Sequence, residues 1–296
     1  MSAFARLSPT TRAILLMLAA ILIFTLMDAT AKGLSKRIGV LPTLWARYIG
    51  QALVVTLLIL PRARSVLRTR YPWLQLARSV FLMCATGCFF LGIANIGLAE
   101  ATAIMDVNPV LISLGAAVFL GERFGVRRMV AIGFSLVGAL IVIRPTSAVF
   151  SPYAVFPLLA AICYSGYALT TRFVGKDEDA WTSLFYTALF GAVVLTSFVP
   201  ATMEMPDLTS LGMMGMLAVF GTTSQLLLIR ALMEGEAGML APFAYAGLVF
   251  ATIWGMAFFD EIPDVWTIVG ALVIVLSGIY VWHRETFAKT QPDPQN

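Results

Sequence analysis

The chain consists largely of long apolar runs, and this feature limits its fold more than any other. Runs of about 17 to 22 residues recur along the 296-residue sequence, each long enough to cross roughly 30 Å of hydrocarbon as a helix. Backbone polar groups inside a bilayer have no water to bind, so spanning segments of this kind are helical. Only 12% of the residues are charged, against about 25% in a typical soluble domain. The sequence therefore predicts an all-α polytopic membrane protein.

Ten transmembrane helices account for these runs and leave no room for a soluble domain between them. The approximate bounds of the predicted spans are 12–31, 43–60, 73–94, 99–119, 128–144, 152–172, 181–200, 210–231, 238–258 and 265–282. Three cysteines lie inside the spans without partners for a disulfide framework or a zinc site, so we predict that Cys84, Cys88 and Cys163 are small buried hydrophobes. We expect no metal and no cofactor.

Positive charge is divided unequally between the two sets of connecting segments. One set carries most of the lysines and arginines, including four arginines within 61–72, whereas the other carries Lys32, Lys36, Arg37 and Arg144. Positively charged loops stay on the cytoplasmic side of a membrane. The asymmetry predicts that both termini are cytoplasmic in a cell inner membrane, and it explains the net charge of +4 without nucleic acid binding.

The sequence resembles itself in its two halves. Residues 24–36 read FTLMDATAKGLSK and residues 164–176 read YSGYALTTRFVGK, so aromatic, hydroxyl and cationic positions coincide 140 residues apart. Glu122 and Glu261 follow similar turns and lie 139 residues apart. This self-similarity indicates two copies of one five-helix unit.

An odd number of spans per copy forces the second copy to enter the membrane from the opposite side. We therefore predict two inverted five-helix repeats, residues 1–144 and 152–283, followed by a cytoplasmic tail over 284–296. Transporters use such repeats because two pseudo-symmetric halves can expose a site between them first to one side and then to the other. A static membrane scaffold is the alternative interpretation of the duplication.

Several short motifs resemble one family of membrane carriers. They are Trp45-Ala46-Arg47-Tyr48, Asn108-Pro109-Val110, Leu120-Gly121-Glu122-Arg123 and Gly138, with departures in the second half at Tyr186, Leu248 and Asp260. On these motifs the chain resembles the drug/metabolite transporter superfamily, whose members are built from two EamA domains. The resemblance implies a bacterial inner-membrane carrier of amino acids, riboflavin, S-adenosylmethionine, nucleotide sugars or drugs. It also implies a cavity walled by spans one, three, four, six, eight and nine.

Polar side chains within the spans are the candidates for the substrate pathway, because a charge at the bilayer centre costs about 2.5–3.5 kcal/mol on insertion scales. The candidates are Asp28, Arg47, Gln51, Thr102, Asp106, Asn108, Pro109, Tyr164, Tyr167, Gln225 and Tyr245. Asp28 either lines the pathway or pairs with Lys32, one turn away. Arg47 suits a carboxylate or phosphate, with snorkelling or pairing with Asp28 as alternatives. Arg78 is predicted to be a snorkelling anchor.

The fourth predicted span combines a polar stripe with a proline. Thr102, Asp106 and Pro109 share one helical face. Pro109 frees the carbonyl of Met105 and is expected to kink the helix beside Asp106 and Asn108. Discontinuous helices expose backbone for binding in transporters. A proline kink without a role in binding is the alternative.

Aromatic residues are candidates for a chamber that holds a ring-bearing substrate. Tyr164 and Tyr167 share a face of the sixth span, and Phe24, Tyr186 and Tyr245 are their expected companions. Packing against lipid or inside the bundle is the alternative. The chamber, the deep arginine and the neutral hydrogen-bonding groups favour riboflavin, an aromatic amino acid or a nucleoside-like metabolite.

The sequence as a whole predicts a secondary transporter that works by alternating access. It has no G-x-x-x-x-G-K-[ST] motif for nucleotide-driven pumping, and it lacks the clustered His, Asp or Ser groups of an integral membrane enzyme. A passive channel would need a ring of like groups, which two diverged halves do not make. Asp28, Glu100 and Asp106 are candidates for coupling to protons, with facilitated diffusion as the alternative. We predict riboflavin or another aromatic-ring metabolite as substrate, with an amino acid or S-adenosylmethionine as the alternative. The other expected partners are the lipid bilayer and a second copy of the chain in a homodimer.

Overall fold

The computed structural model describes residues 9–108, 110–112, 114–115, 126–143, 151–174, 178–200, 205–234 and 243–288. Every regular element within these residues is a helix, which confirms the predicted all-α class. We number the ten main helices in chain order. Their bounds are α1, Pro9–Ile38; α2, Val40–Ile59; α3, Pro72–Asn95; α4, Leu98–Met105; α5, Val126–Ile143; α6, Val155–Val174; α7, Ala180–Thr196; α8, Leu208–Glu234; α9, Ala246–Phe259; and α10, Val265–Ala288.

Five helices in the described part of the chain are long and apolar enough to cross a membrane. They cover Thr11–Ile38, Val40–Arg62, Pro72–Asn95, Pro152–Thr171 and Leu208–Ala231. Three apolar helices are shorter, at Ala180–Thr196, Ala246–Phe259 and Val265–Ser277. The multi-pass architecture agrees with the sequence, and the total of ten spans stays a prediction.

The helices pack in a two-fold symmetric pattern. Helix α1 packs on α8 and α3 packs on α6, so exchanging the two halves converts one contact into the other. The same exchange leaves three further pairs unchanged, namely α2 with α7, α4 with α9 and α5 with α10. This pattern confirms the predicted architecture of two repeats.

Corresponding helices of the two halves run in opposite directions. Helices α3 and α6 are antiparallel, because Gly92 near the end of α3 packs on Pro157 near the start of α6, and Arg78 near the start of α3 bonds to Thr171 near the end of α6. Helices α1 and α3 are parallel, since Lys32 near the end of α1 bonds to the carbonyl just after α3. Helix α1 therefore runs opposite to α6, as inverted repeats require.

We name the two ends of the bundle after one residue at each. The Gly39 end contains residues 39, 96–97, 205–207 and 260–264, and the Arg70 end contains residues 62–71 and 178–179. Gly39 has a φ of 87°, a left-handed conformation that suits glycine because it has no Cβ. This single residue lets α1 and α2 reverse direction between Ile38 and Val40.

The cysteine side chains are less buried than the sequence predicted. Cys84 is exposed on the bundle surface, so the prediction of a buried residue is wrong there, and Cys88 and Cys163 are only partly buried. The outer face of a spanning helix contacts lipid rather than water, and a weakly polar thiol needs no partner in lipid. Hydrophobic composition therefore does not separate core positions from lipid-facing ones.

Helices α5 and α10 approach closely at Gly138 and Gly270. A Cβ atom on Gly270 would lie 2.6 Å from the carbonyl oxygen of Gly138, and one on Gly138 would lie 2.9 Å from that of Gly270. Backbone atoms cannot rotate away as a flexible side chain can, so this contact between α5 and α10 leaves no room for a larger residue at either position. Gly133, also on α5, makes no such contact, because a Cβ there would meet nothing within 4 Å.

We expect Gly270→Val to destabilise the protein by about 1–3 kcal/mol relative to Gly133→Val, because overpacking forces the two helices apart. Both changes carry the same small gain in helix propensity, so their difference isolates the strain between α5 and α10. Thermal unfolding of the two purified variants in one detergent measures this difference. Equal midpoints would contradict the prediction.

Candidate functional site

A cavity of about 160 Å³ lies between the two halves of the bundle. The first half contributes α1 to α4 to its wall, and the second half contributes α6 and α8. The lining residues are Phe24, Met27, Asp28, Arg47, Leu82, Ala85, Thr86, Phe89, Phe90, Thr102, Met105, Tyr164, Tyr167, Gln225 and Leu228. The wall therefore includes α2, which the family resemblance did not imply, and it does not include α9.

The predicted pathway residues fall into three groups. Those that line the cavity are Asp28, Arg47, Thr102, Tyr164, Tyr167 and Gln225, and those that lie elsewhere are Gln51, Asp106, Asn108 and Tyr245. Pro109 lies outside the described residues. The lining group comes from five separate helices, which only the packing of α1, α2, α4, α6 and α8 brings together.

Asp28 and Arg47 place opposite charges on the cavity wall. The Arg47 side chain is 3% exposed, and its Nη1 donates to Thr86 Oγ1 at 2.6 Å, so Arg47 does not snorkel to the interface. The guanidinium also lies over the rings of Tyr48 and Phe90, at 5.4 and 5.8 Å from their centroids. Contact with aromatic faces favours a buried cation. The cavity wall therefore holds a guanidinium of fixed orientation and the side chain of an aspartate.

A chain of hydrogen bonds leads from the cavity toward the Arg70 end. Gln51 Nε2 donates to Gln225 Oε1 at 2.7 Å, and Gln225 Nε2 donates to the Tyr167 hydroxyl at 3.5 Å. Arg78 then donates to that hydroxyl at 3.4 Å and to Thr171 Oγ1 at 2.8 Å. Gln51 thus touches the site through Gln225 rather than by lining it.

Arg78 is not the snorkelling anchor that its sequence position suggested. Its side chain is 2% exposed and donates to Gln75 Oε1 at 2.9 Å in addition to its contacts on α6. Gln75 Nε2 continues the network to Glu178 Oε2 at 3.3 Å, in the segment before α7. Arg78 lies six residues inside the start of α3, and α6 covers it there, so the side chain is enclosed by protein instead of reaching water. We call Gln75, Arg78, Tyr167, Thr171 and Glu178 the Arg78 cluster.

The fourth span is interrupted where the polar stripe predicted a break. Helix α4 ends at Met105, residues 106 and 107 form a turn, and helical structure resumes at Asn108. The Asn108 carbonyl accepts a hydrogen bond from Ser165 on α6 at 3.4 Å. Asp106 Oδ2, Asn108 Oδ1 and the Tyr245 hydroxyl are buried and have no hydrogen-bond partner among the described residues. This second polar region lies outside the cavity wall.

Two aromatic residues predicted for the chamber do not line it. The Tyr186 hydroxyl donates to the carbonyl of Leu67 at 2.9 Å, at the Arg70 end. Tyr245 packs with Val107, Ala139 and Ile274. The cavity instead receives Phe89 and Phe90 from α3, which the sequence did not single out because phenylalanine is common on every apolar helix.

Lys32 pairs with Glu261 rather than with Asp28. The two charged atoms lie 2.6 Å apart, with the Lys32 side chain 2% exposed and that of Glu261 27% exposed. Lys32 Nζ also donates to the Ile96 carbonyl at 2.5 Å, and the other Glu261 oxygen accepts from the Leu98 backbone N–H at 2.8 Å, at the start of α4. An acid at a helix N-terminus is favourable. We call these four residues the Glu261 cluster; it closes the Gly39 end across the two halves.

By its place in the sequence, Glu261 belongs to the segment before α10, in the second half. Its carboxylate nevertheless binds the start of α4 and the Lys32 side chain, both in the first half. The repeated glutamate 139 residues apart was the available signal, but spacing does not reveal the partner.

The EamA-like transporter family matches the chain twice, over residues 11–144 and 151–282. The chain belongs to this family. As an EamA-like transporter it carries small molecules across a membrane and is not an enzyme.

Known relatives of this EamA-like transporter are also carriers. The Pseudopaline exporter CntI of Pseudomonas aeruginosa (strain UCBPP-PA14) is 29% identical over 268 residues, which cover 90% of this chain and 94% of the exporter. The Riboflavin transporter of Rhizobium johnstonii is 26% identical, with coverage of 77% and 76%. The S-adenosylmethionine uptake transporter of Rickettsia bellii is 25% identical, with coverage of 89% and 91%. A solved crystal structure aligns with a TM-score of 0.64 at 18% identity, covers 93% of this chain and 99% of that chain, and shows the fold alone.

Proposed function

We propose that this EamA-like transporter moves a small organic metabolite across the bacterial inner membrane by alternating access, as a secondary transporter. The observation that carries the proposal is a cavity between two polar clusters, each of which joins the two halves. The Glu261 cluster links α1 and α4 to the segment before α10, and the Arg78 cluster links α3 to α6. Substrate enters or leaves at one end when the cluster at that end separates.

The inverted repeats support this mechanism. Two similar halves with opposite orientation have two conformations of comparable free energy, one open at each end. Both clusters are closed around the cavity in this structure. We therefore treat it as the state between the two open ones, and we keep residues 1–144 and 152–283 as the proposed halves.

The distribution of charge supports a cytoplasmic Arg70 end. Arg62, Arg64, Arg68 and Arg70 lie there, and positive loops are retained in the cytoplasm. Helix α1 starts at this end, so the proposal places the N-terminus in the cytoplasm. The Gly39 end would then face the periplasm.

Aromatic side chains on the cavity wall support a substrate with an aromatic or other apolar group. Phe24, Phe89, Phe90 and Tyr164 supply such a surface, and Thr102 and Gln225 add neutral hydrogen-bonding groups. Riboflavin, aromatic amino acids and S-adenosylmethionine are the compounds to test first.

Uptake into proteoliposomes that contain the purified chain tests the proposed function. We expect saturable uptake of at least one of labelled riboflavin, phenylalanine, threonine and S-adenosylmethionine. Uptake should be faster when the vesicles are preloaded with the same unlabelled compound, because an alternating-access carrier exchanges its substrate. Empty liposomes are the control. No saturable uptake and no exchange with any of the four compounds would contradict the proposal.

Proton coupling would require a carboxylate that changes its protonation state during the cycle. Asp28 on the cavity wall and Asp106 at the break in the fourth span are the candidates. We expect Asp106→Asn or Asp28→Asn to remove most of the stimulation that an inward proton gradient gives to uptake. The ratio of uptake with and without the gradient measures this effect, and Asp207→Asn, an exposed aspartate at the Gly39 end, is the control. Full stimulation in both variants would show that neither carboxylate couples transport to protons, and no stimulation of the unchanged chain would leave facilitated diffusion as the mechanism.

A further inference from the structure

We propose that the cavity is a site for a zwitterion, a small metabolite that carries both an ammonium and a carboxylate group. Its cation would bind Asp28, and its anion would bind Arg47. This inference rests on the proposed transport function and narrows it to a class of substrate. Five observations about the cavity carry it.

The charges on the cavity wall match a ligand with one charge of each sign. Among the lining residues that the structure describes, Asp28 is the acid and Arg47 is the base. Burial of a charge without a partner costs several kcal/mol, so a ligand that enters this space must provide a partner for both charges. A neutral ligand would leave both charges unpaired, and an ion of one sign would leave one charge unpaired.

Asp28 and Arg47 are held apart from each other. No ion pair within 4.0 Å joins them, and within the described chain no hydrogen bond occupies the Asp28 carboxylate. The attraction of opposite charges rises as their distance and the local dielectric constant fall, so a pair that existed only for stability would close to contact. The open gap between two charged groups favours a third component that bridges them.

Arg47 has unused hydrogen-bonding capacity. A guanidinium has five N–H donors, and the hydrogen bond to Thr86 uses Nη1. Its Nε is buried and has no hydrogen-bond partner in the part of the chain that the structure describes. The bond to Thr86 and the two flanking rings fix the orientation of the group, so the free donors stay in place for a carboxylate.

The size of the cavity limits the rest of the ligand. Its volume of about 160 Å³ is below the roughly 300–1,000 Å³ of sites for drug-sized ligands. The walls beyond the charged pair are Phe89, Phe90, Met105 and Tyr164, which suit one apolar or aromatic side chain. An amino acid or a compound of similar size fits this description, whereas riboflavin is larger and carries no ammonium.

Binding to the purified full chain in detergent, measured by isothermal titration, tests the proposal with two matched series of probes. One series is phenylalanine, phenethylamine, which lacks the carboxylate, and 3-phenylpropanoate, which lacks the ammonium. The other is methionine, 3-(methylthio)propylamine and 4-(methylthio)butanoate. We expect the zwitterion of at least one series to bind about tenfold to a hundredfold more tightly than either partner, since each lost charge-assisted contact weakens binding by about that factor. Absence of this preference in both series would overturn the proposal.

Single variants assign the charges. Asp28→Asn should lower affinity for the zwitterion and the amine by about tenfold or more and leave affinity for the acid unchanged. Arg47→Gln should lower affinity for the zwitterion and the acid by a similar factor and leave affinity for the amine unchanged. Asp207→Asn and Arg37→Gln, which alter an exposed Asp–Arg pair at the Gly39 end, are matched controls with no expected effect. Equal losses for all three probes would assign the pair a structural role and overturn the proposal.

The outcomes separate this inference from the proposed function. Saturable uptake of riboflavin without a zwitterion preference in either series would refute the zwitterion site and keep the transporter. A zwitterion preference without uptake or exchange in proteoliposomes would keep the site and refute the transport proposal. The probe series on the unchanged chain decides the question even if Arg47→Gln fails to fold.

Discussion

Glu261→Gln is expected to lower the free energy of unfolding by about 3–5 kcal/mol, because it leaves the buried ammonium of Lys32 without its counter-charge. Lys32 is 2% exposed and cannot reach water in the closed conformation. Because Glu261 is 27% exposed and partly solvated, we expect the loss of unfolding free energy to lie near the lower end of this range. The same change weakens the contact that holds the start of α4. Thermal and denaturant unfolding of the purified variant in one detergent measures the loss.

The Glu261 cluster also closes the Gly39 end, so its loss should open the cavity on that side. Thr102→Cys places a thiol on the cavity wall, in a background without Cys84, Cys88 and Cys163. We expect a membrane-impermeant thiol reagent added at the Gly39 end to label this cysteine faster when Glu261→Gln is also present. Unchanged labelling would contradict a gating role for the cluster.

Two further variants test the cause of the Glu261 effect. Adding Lys32→Met to Glu261→Gln should recover stability, because replacing a buried ion pair by apolar groups is often neutral whereas removing one partner is not. Asp207→Asn removes the Arg37–Asp207 pair at the same end, whose side chains are 45% and 53% exposed. Hydrogen bonds from Ser210 and Arg37 lower the pKa of Asp207 to about 2, so this pair is ionised at neutral pH, but solvent screens it and little change is expected.

Arg78→Met is expected to reduce transport by about tenfold or more, because it removes hydrogen bonds from a charged group worth about 1.5–3 kcal/mol each. Arg78 fixes Tyr167, a cavity residue, and its guanidinium lies 5.2 Å from the centre of that ring. It also joins α3 to α6 through Thr171. Initial rates of substrate uptake in proteoliposomes, corrected for the amount of inserted protein, measure the effect.

We attribute this loss of transport to the missing geometry of the guanidinium group and not to the missing charge alone. Arg78→Lys keeps the charge, but one ammonium cannot replace a planar fork that reaches Gln75, Tyr167 and Thr171. We therefore expect Arg78→Lys to restore less than half of the lost rate. Arg68→Met changes an exposed arginine at the same end and should transport normally. Full activity in Arg78→Lys would assign the role to charge alone.

Much of the architecture could be predicted from the sequence because lipid allows few solutions. Apolar runs of spanning length require helices, and the resemblance between residues 24–36 and 164–176 indicated two repeats. The interruption at Asp106 was also predictable, since a proline at 109 removes a hydrogen bond from the helix in a known direction. These features depend on composition and on spacing within one segment.

The partners of the polar residues could not be predicted in the same way. Lys32 lies one turn from Asp28, yet it pairs with Glu261 from the other half of the chain. Arg78 has the position of a surface anchor in its helix, yet α6 covers it. Gln51 and Gln225 bond to each other although nothing in either sequence segment relates them.

The physical reason is that spacing along one helix fixes which residues share a face but not which neighbour that face meets. By itself, the sequence determined the helical class, the two inverted repeats and the set of polar residues that lie within the spans. The packing of α1 on α8 and of α3 on α6 then decided which of them enclose the cavity. Only the tertiary structure decided that Asp28 and Arg47 face one space and that buried ion pairs and hydrogen bonds close it at both ends.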